Sequence, residues 1–366
     1  MKIGILGTRG IPNHYGGFEQ FAQYLSVGLV ARGHEVWVYN SSLHPYQEKS
    51  YNGVQLIHCE DTEDKMGTAG QFVYDFNCFK DARKRDFDLL LQLGYTSSSI
   101  WYWMWPRKMV NMVNMDGLEW KRSKYSKKVQ WFLKHAERWG AKHGDVLIAD
   151  SLGIQQHLEE TYHKPSVFIP YGAELFDMPR AQALGNYGVQ PYQYHLLIAR
   201  MEPENNIEMI IKGYLQSNAI YPLMLVGKTD NAFGRYLRET YTDNRLRFVG
   251  GIYDMGIINN LRYYSQLYFH GHSVGGTNPS LLEAMAADCL VAAHHNVFNQ
   301  TVLREAAFYF NTPGEVAGIL NRVLDKNEYR NWLETNRQRI ATDYSWPHII
   351  DAYEAAMLEA IQKKKG

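Results

Sequence analysis

The residue types best suited to chemistry lie between residues 270 and 287, His-Gly-His-Ser-Val-Gly-Gly-Thr-Asn-Pro-Ser-Leu-Leu-Glu-Ala-Met-Ala-Ala. An apolar run, residues 267–269, ends just before this stretch. Gly275 and Gly276 then permit a tight turn and a close approach of backbone to a ligand. Asn278 suits a helix N-cap and Pro279 the first helical position, and an apolar helix follows over 281–286. A glycine turn feeding a helix, here Gly275, Gly276, Thr277 and Asn278, presents N–H groups at the positive end of the helix dipole, which suits phosphate. Glu283 lies in that helix among apolar residues, and two readings stand side by side. It either complements the dipole, or accepts hydrogen bonds from ligand hydroxyls as an acidic residue does with a ribose. His270 and His272 alternate along an extended chain, yet no third metal ligand is evident. A structural or substrate role is therefore preferred to a metal site.

The whole chain sets the bounds. Its 366 residues suggest two domains. Basic and acidic residues balance at 38 each, so nucleic-acid binding by the protein as a whole is not indicated. Cys59, Cys78 and Cys289 show neither metal spacing nor a disulfide pattern and fit a reducing cytoplasm. Residues 1–6 begin like a strand and lack the long apolar core of a signal peptide. No segment approaches the roughly 20 apolar residues that span a bilayer. The 26 Tyr and 9 Trp exceed the needs of a plain core and suit sugar faces, a lipid interface or a partner surface.

Elements that could position the site alternate along the chain. Residues 2–6 read as a buried strand, a glycine loop runs from Gly7 to Gly17, and a helix follows from Phe18 to about Arg32. Strand, glycine loop and helix form the first unit of a doubly wound fold, although the glycine spacing is not the dinucleotide fingerprint. Further strands are expected at 33–39, 54–59, 88–93, 109–115 and 146–149, then at 195–199, 223–226, 245–251 and 289–293. Helices are expected at 261–266 and 300–306. Such alternation predicts parallel sheets with ligands at the strand C-termini. Lys228 follows a strand-end glycine, either reaching toward a ligand or standing exposed on a turn. The aromatic stretch 95–105 reads either as an exposed surface or as a core helix. Residues 121–128 carry five positive charges and no negative one, and an aromatic segment follows. That pattern suits anionic lipid, with a solvated basic face as the simpler reading.

The 270–287 stretch resembles the donor-binding segment of retaining GT-B glycosyltransferases, the large family that includes sucrose synthases, mannosyltransferases and bacterial polysaccharide transferases. The family pattern is Glu, seven residues, Glu, with the second Glu in a Leu-Glu-Ala-Met-Ala helix. Glu283 matches the second; Gly275 stands where the first would be. The resemblance implies that Glu283 holds a nucleotide ribose and that the departure at Gly275 bears on the sugar contacts. It further implies a diphosphate grip by Arg200, with Asn205 at the place of the family's Lys and Lys228 as a replacement cation.

More narrowly, Gly-Thr-Arg-Gly-Ile-Pro-Asn-His-Tyr-Gly-Gly-Phe-Glu from Gly7 resembles a subgroup of bacterial rhamnosyltransferases. By this resemblance the amides of Gly16 and Gly17 meet a donor phosphate oxygen. Arg9 pairs with phosphate or fixes the loop, while His14 and Tyr15 touch the acceptor or simply cover the loop. Asp116 stands where much of the family has a His and would orient the acceptor hydroxyl or take its proton. Glu119 is the second choice, and a turn Asp before Gly117 is the plainer reading of Asp116.

The expected architecture is GT-B: two Rossmann-like, doubly wound domains facing a cleft. Residues 1–170 with 347–366 would form the acceptor-side domain and 171–346 the nucleotide-sugar domain, the last helix crossing back. The expected activity is metal- and cofactor-independent, retaining transfer of L-rhamnose from dTDP-L-rhamnose. The acceptor would be a hydroxyl of a lipid-linked glycan at the cytoplasmic face of a membrane. Transfer from another donor such as UDP-glucose, a sugar-nucleotide epimerase and a non-catalytic sugar-nucleotide sensor are the alternatives on the same architecture.

Overall fold

A computed structural model describes residues 1–14, 16–122, 124–322 and 325–365. The chain divides into two units. Met1–Lys121, Tyr125–Tyr171 and Trp346–Gly366 make the first, and Arg122–Lys124 with Gly172–Ser345 the second.

In chain order the first unit runs β1 (Lys2–Leu6), α1 (Gly17–Ala31), β2 (Glu35–Ser41), β3 (Ser50–Tyr51), β4 (Val54–Cys59), α2 (Glu63–Met66), α3 (Gly70–Ala82), β5 (Leu89–Leu93), β6 (Val110–Asn114), α4 (Lys127–His143), β7 (Val146–Ala149), α5 (Leu152–Tyr162) and β8 (Val167–Phe168). The second runs β9 (His195–Ile198), α6 (Ile207–Gln216), β10 (Leu223–Val226), α7 (Ala232–Thr240), β11 (Leu246–Gly250), α8 (Met255–Tyr263), β12 (Leu267–His270), α9 (Pro279–Ala286), β13 (Val291–His294), α10 (Val297–Leu303), β14 (Phe308–Phe310), α11 (Pro313–Leu320) and α12 (Arg330–Asp343). The last helix, α13 (Trp346–Lys365), belongs to the first unit.

The first sheet has eight strands in the order β3-β4-β2-β1-β5-β6-β7-β8, parallel except for β3 on β4. Every residue of Leu89–Leu93 is buried, as expected of a parallel strand covered on both faces. α13 closes this unit against α1. Phe21 packs its ring 5.2 Å from Tyr353 and 6.0 Å from Trp346. Gly28 leaves the room that Ile350 fills, since a Cβ there would lie 2.3 Å from Ile350 Cδ1. Arg32 pairs with Asp351 and, at 3.2 Å, with Glu354.

The second sheet has six parallel strands, β11-β10-β9-β12-β13-β14. Its core joins Leu197, Leu225, Phe269 and Ala292 of the strands to Ile210 and Ile211 of α6 and Val316 of α11. Each of these except the smaller Ala292 contributes about 1.5–3 kcal/mol through burial.

The doubly wound α/β reading holds for both units, with differences in detail. The helix expected at 261–266 runs instead over Met255–Tyr263, because Asp254 accepts a hydrogen bond from the Ile257 amide and fixes its start earlier. The one expected at 300–306 spans Val297–Leu303, with Asn296 accepting from the amides of Phe298 and Asn299. The aromatic stretch 95–105 combines both of its readings: Tyr95 and Trp105 are buried, whereas Trp103 is exposed on a short 3-10 turn. No helix among the described residues is long and apolar enough to cross a membrane.

Candidate functional site

In the second unit β9 and β12 lie side by side, while the chain leaves them for opposite flanks of the sheet, toward β10 and β13. Ligands of open α/β sheets bind outside the strand C-termini at such a switch point. The two loops that meet here are tied together. The amide and hydroxyl of Ser273 donate to Glu204 O at 3.1 and 2.7 Å, and Asn206 Nδ2 donates to Gly271 O at 2.8 Å. A Cβ at Gly271 would lie 2.0 Å from Asn205 O, so only glycine permits this contact. Asn205, at the expected lysine position, is buried and donates to Arg200 O at 2.7 Å. Its role is to shape the loop that presents Arg200. The Arg200 side chain is exposed and has no partner among the described residues. Lys228, also exposed, leaves the neighbouring strand end one residue after Gly227, with Nζ 5.5 Å from the Tyr253 ring centre.

Gly275 has φ 128°, a conformation that favours glycine, and a Cβ built there meets nothing within 4 Å. Asn278 is the N-cap and Pro279 the first helical residue, as the sequence indicates. The capping takes up the first amides of the helix itself. Asn278 Oδ1 accepts from the Ser280 amide at 2.9 Å, and Asn278 O from those of Leu281 and Leu282. The amides of Gly275, Gly276 and Asn278 have no acceptor among the described residues, so the loop supplies the donors. Thr277 is buried within it.

Glu283 is not merely surrounded by apolar side chains. Its Oε2 lies 2.6 Å from a guanidinium nitrogen of Arg262, a buried residue of α8 that also donates to Ser280 Oγ and Asn259 Oδ1, each at 3.0 Å. Burial opposes Arg262's charge, but the Glu283 carboxylate leaves its pKa raised. Arg262 was missed in the sequence because the carboxylate it meets lies 21 residues further along the chain.

His270 and His272 stack at 4.4 Å, with rings 17° apart. His270 is buried, and neither of its ring nitrogens has a partner among the described residues. Burial drives its pKa well down and takes that of His272 to about 3, with Arg200 next in effect on His272. Both rings are therefore neutral at pH 7.

The first unit repeats the pattern at β1 and β5, whose connections also diverge. Gly7, with φ 90°, sits so close to β5 that a Cβ would lie 2.3 Å from Leu93 O. Buried Glu19 accepts from Thr8 Oγ1 at 3.1 Å and from the Arg9 amide at 2.8 Å. Asn40 exchanges two hydrogen bonds with the Ile11 backbone. Of the two readings of Arg9, the geometry shows its fork on Glu63, at 3.0 and 2.6 Å. His14 stands edge-on to His44 at 4.3 Å, and Tyr15 lies outside the described residues. Gly16 caps α1 without a side chain, and the amides of Gly17 and Phe18 have no acceptor among the described residues.

Asp116 follows β6 with φ 47°, its amide donating to Asn114 Oδ1 at 2.9 Å. The Glu119 amide donates to Gly117 O at 2.9 Å and to Tyr95 Oη at 3.3 Å. Burial and the carboxylates of Glu137, Glu119 and Asp116 hold the Tyr95 hydroxyl well above its ordinary pKa, so these acids share one neighbourhood. Glu137 was not singled out from the sequence. It is buried and accepts from Trp120 Nε1 at 3.0 Å, His157 Nε2 at 2.8 Å and the Tyr162 hydroxyl at 2.7 Å.

Thus Arg200, Lys228, the 275–278 loop and Glu283 assemble on the second unit. Arg9, His14, Gly16 and Gly17 share one loop of the first unit, with Asp116 and Glu119 at the end of β6. No group of three or more metal-binding side chains occurs among the described residues.

Residues 1–174 match a family described as a domain of unknown function (DUF1972). A search of curated protein sequences finds no match. Among solved structures, the chain is similar to a sucrose-phosphate synthase from Thermosynechococcus elongatus, with TM-score 0.78, 16% identity and full coverage of both chains. It is also similar to Anabaena HepE in complex with UDP and glucose, with TM-score 0.75, 15% identity and coverage of 98% of this chain and 100% of that one. A trehalose 6-phosphate synthase from Burkholderia multivorans gives TM-score 0.74 at 12% identity, over 100% of this chain and 97% of that one. With two parallel-sheet, Rossmann-like units and these likenesses along its whole length, the chain has the GT-B fold of glycosyltransferases.

Proposed function

We propose that the chain is a retaining, metal-independent hexosyltransferase. It takes L-rhamnose from dTDP-L-rhamnose and delivers it to a hydroxyl of a lipid-linked glycan in capsule, O-antigen or cell-wall polysaccharide synthesis. The observation that carries the reading is the second unit's switch point. There the Arg200 guanidinium and the amides of Gly275, Gly276 and Asn278, without partners among the described residues, are presented by adjacent strand ends. These are donors for a diphosphate that gains charge as its bond to sugar breaks. Lys228 adds a second cation. Glu283, fixed by Arg262, accepts hydrogen bonds from the ribose.

Departure of the diphosphate and arrival of the acceptor on the same face keep the anomeric configuration, and a donor phosphate oxygen takes the acceptor's proton. Asp116 orients the acceptor hydroxyl, with Glu119, Arg9, His14 and Tyr15 supporting acceptor binding, and Gly16 and Gly17 meet the donor phosphate. The absence of a carboxylate at Gly275 suits a deoxysugar, which offers fewer hydroxyls to bind. The chain works at the cytoplasmic face of the membrane, where the basic start of α4, with Lys127, Lys128 and the exposed Trp131, suits contact with anionic lipid.

The test is a donor series of dTDP-L-rhamnose, UDP-glucose and GDP-mannose, read by thermal shift and by turnover with a lipid-linked acceptor. Stabilisation by the right donor follows RT ln(1 + [L]/Kd), about 2.7 kcal/mol at a hundredfold excess over Kd. The rhamnose donor is expected to stabilise most and to react; preference for glucose or mannose overturns the donor assignment.

A further inference from the structure

We propose that the first unit carries a second anion site, away from the loops described above, that takes a phosphate or diphosphate group. It is a hollow of about 450 Å³ lined by Lys134, Arg138 and Lys142 of α4 and by Thr161, Tyr162 and Lys164 at the end of α5. No carboxylate contributes to its wall.

The α4 cations recur every fourth residue and so share one helix face. Like charges at that spacing repel, by roughly 0.2–0.5 kcal/mol per pair. Arg138, Lys142 and Lys164 form no ion pair and no side-chain hydrogen bond among the described residues, and Lys134 rests over the Trp120 ring at 5.1 Å. The single acid of α4, Glu137, is buried and turned toward His157, Tyr162 and Trp120. On α5, Glu160 accepts a hydrogen bond from Gln156 and does not line the hollow. The same cations act on a neighbour: burial first, then Lys142 and Lys164, hold the His143 ring below its ordinary pKa.

Four cations around one hollow, with no carboxylate in its wall, suit a ligand of two or more negative charges. A phosphate also offers the several oxygens that a guanidinium pairs with in twos, and the volume admits a diphosphate. Such a group could arrive as a free anion or as the headgroup of an anionic lipid. The inference does not depend on the identity of the sugar donor.

The experiment is calorimetric titration of pyrophosphate into Arg200→Ala protein, which mutes the switch-point site, and into the same protein carrying Arg138→Ala and Lys142→Ala. Both added substitutions are at exposed positions, and circular dichroism checks the fold. Saturable binding in Arg200→Ala protein, weakened tenfold or more by the added pair, is expected. No saturable binding in Arg200→Ala protein, or equal binding by both proteins, overturns the proposal. Sedimentation with phosphatidylglycerol and phosphatidylcholine vesicles then identifies the source. Binding to the anionic vesicles alone, competed by pyrophosphate and lost in the pair variant, assigns a lipid headgroup. Pyrophosphate binding without vesicle binding assigns a free anion. Vesicle binding that the pair variant retains, with no pyrophosphate site, sinks the idea.

Discussion

Arg200 and Glu283 are two charged residues with opposite structural standing, and substitution separates them. Arg200 is exposed and unpaired, so Arg200→Ala is expected to leave the melting temperature within about a degree, since surface changes are usually worth under ~0.5 kcal/mol. If it stabilises the departing diphosphate, kcat/KM falls about 10²–10³-fold, as for loss of one transition-state donor. Glu283 compensates a buried guanidinium. Glu283→Leu is expected to destabilise by roughly 3 kcal/mol by leaving Arg262 uncompensated, visible as a shifted denaturant midpoint. Glu283→Gln keeps a hydrogen-bond acceptor and should lose less stability than the leucine variant while still weakening donor binding. An equal melting temperature for wild type and Glu283→Leu would show that the pair does not matter to the fold. The sequence discloses Glu283 and its helix because glycines, an N-cap and a proline are local signals. It could not disclose Arg262 or Glu137, which packing joins to Glu283, 21 residues away, and to partners up to 42 residues away.

At the scale of elements, the switch-point loops depend on a contact that one methyl group breaks. Gly271→Ala would place Cβ against Asn205 O and force the β9 and β12 loops apart. A loss of about 1–3 kcal/mol is expected, the usual cost of overpacking. Donor affinity should fall as well, because Arg200 and the 275–278 loop would no longer share one register. A melt and a donor titration on the same variant check both; unchanged affinity would mean that the loops act independently. The sheets themselves were legible from apolar runs and glycine turns. Element boundaries were less so: α8 begins at Met255 because Asp254 caps it, and the two asparagines that follow hide a helix from propensity alone.

For the whole molecule, one buried carboxyl and two buried imidazoles respond to pH in opposite senses. Burial lifts the Asp75 carboxyl in the first unit to about 7, from an ordinary 3.8. Between those values the folded state keeps a proton that the unfolded state releases, so this group lowers stability as pH rises to 7. In the second unit burial takes His195 to about 4, and His272 lies at about 3, from 6.5. Below 6.5 the unfolded chain gains protons that these rings refuse, so the second unit loses stability as pH falls. Each pH unit crossed is worth at most about 1.4 kcal/mol per group. Hydrogen exchange at pH 5 and 7.5, corrected for intrinsic rates, should show protection falling around Asp75 and rising around His195 and His272 at the higher pH. Asp75→Asn should flatten the first unit's trend, and a trend that persists would assign it to other groups.

The helix α13 carries a consequence for biosynthesis. Its rings and its acids complete the wall of α1, yet the whole of the second unit is translated before it. A nascent chain therefore holds an unfinished amino-terminal half, its Phe21 ring met by Tyr171 but not yet by Tyr353 or Trp346, while the ribosome makes the rest. Supplying α13 early, by moving it ahead of residue 1 through a short linker, should shorten the interval during which that half is open to proteases.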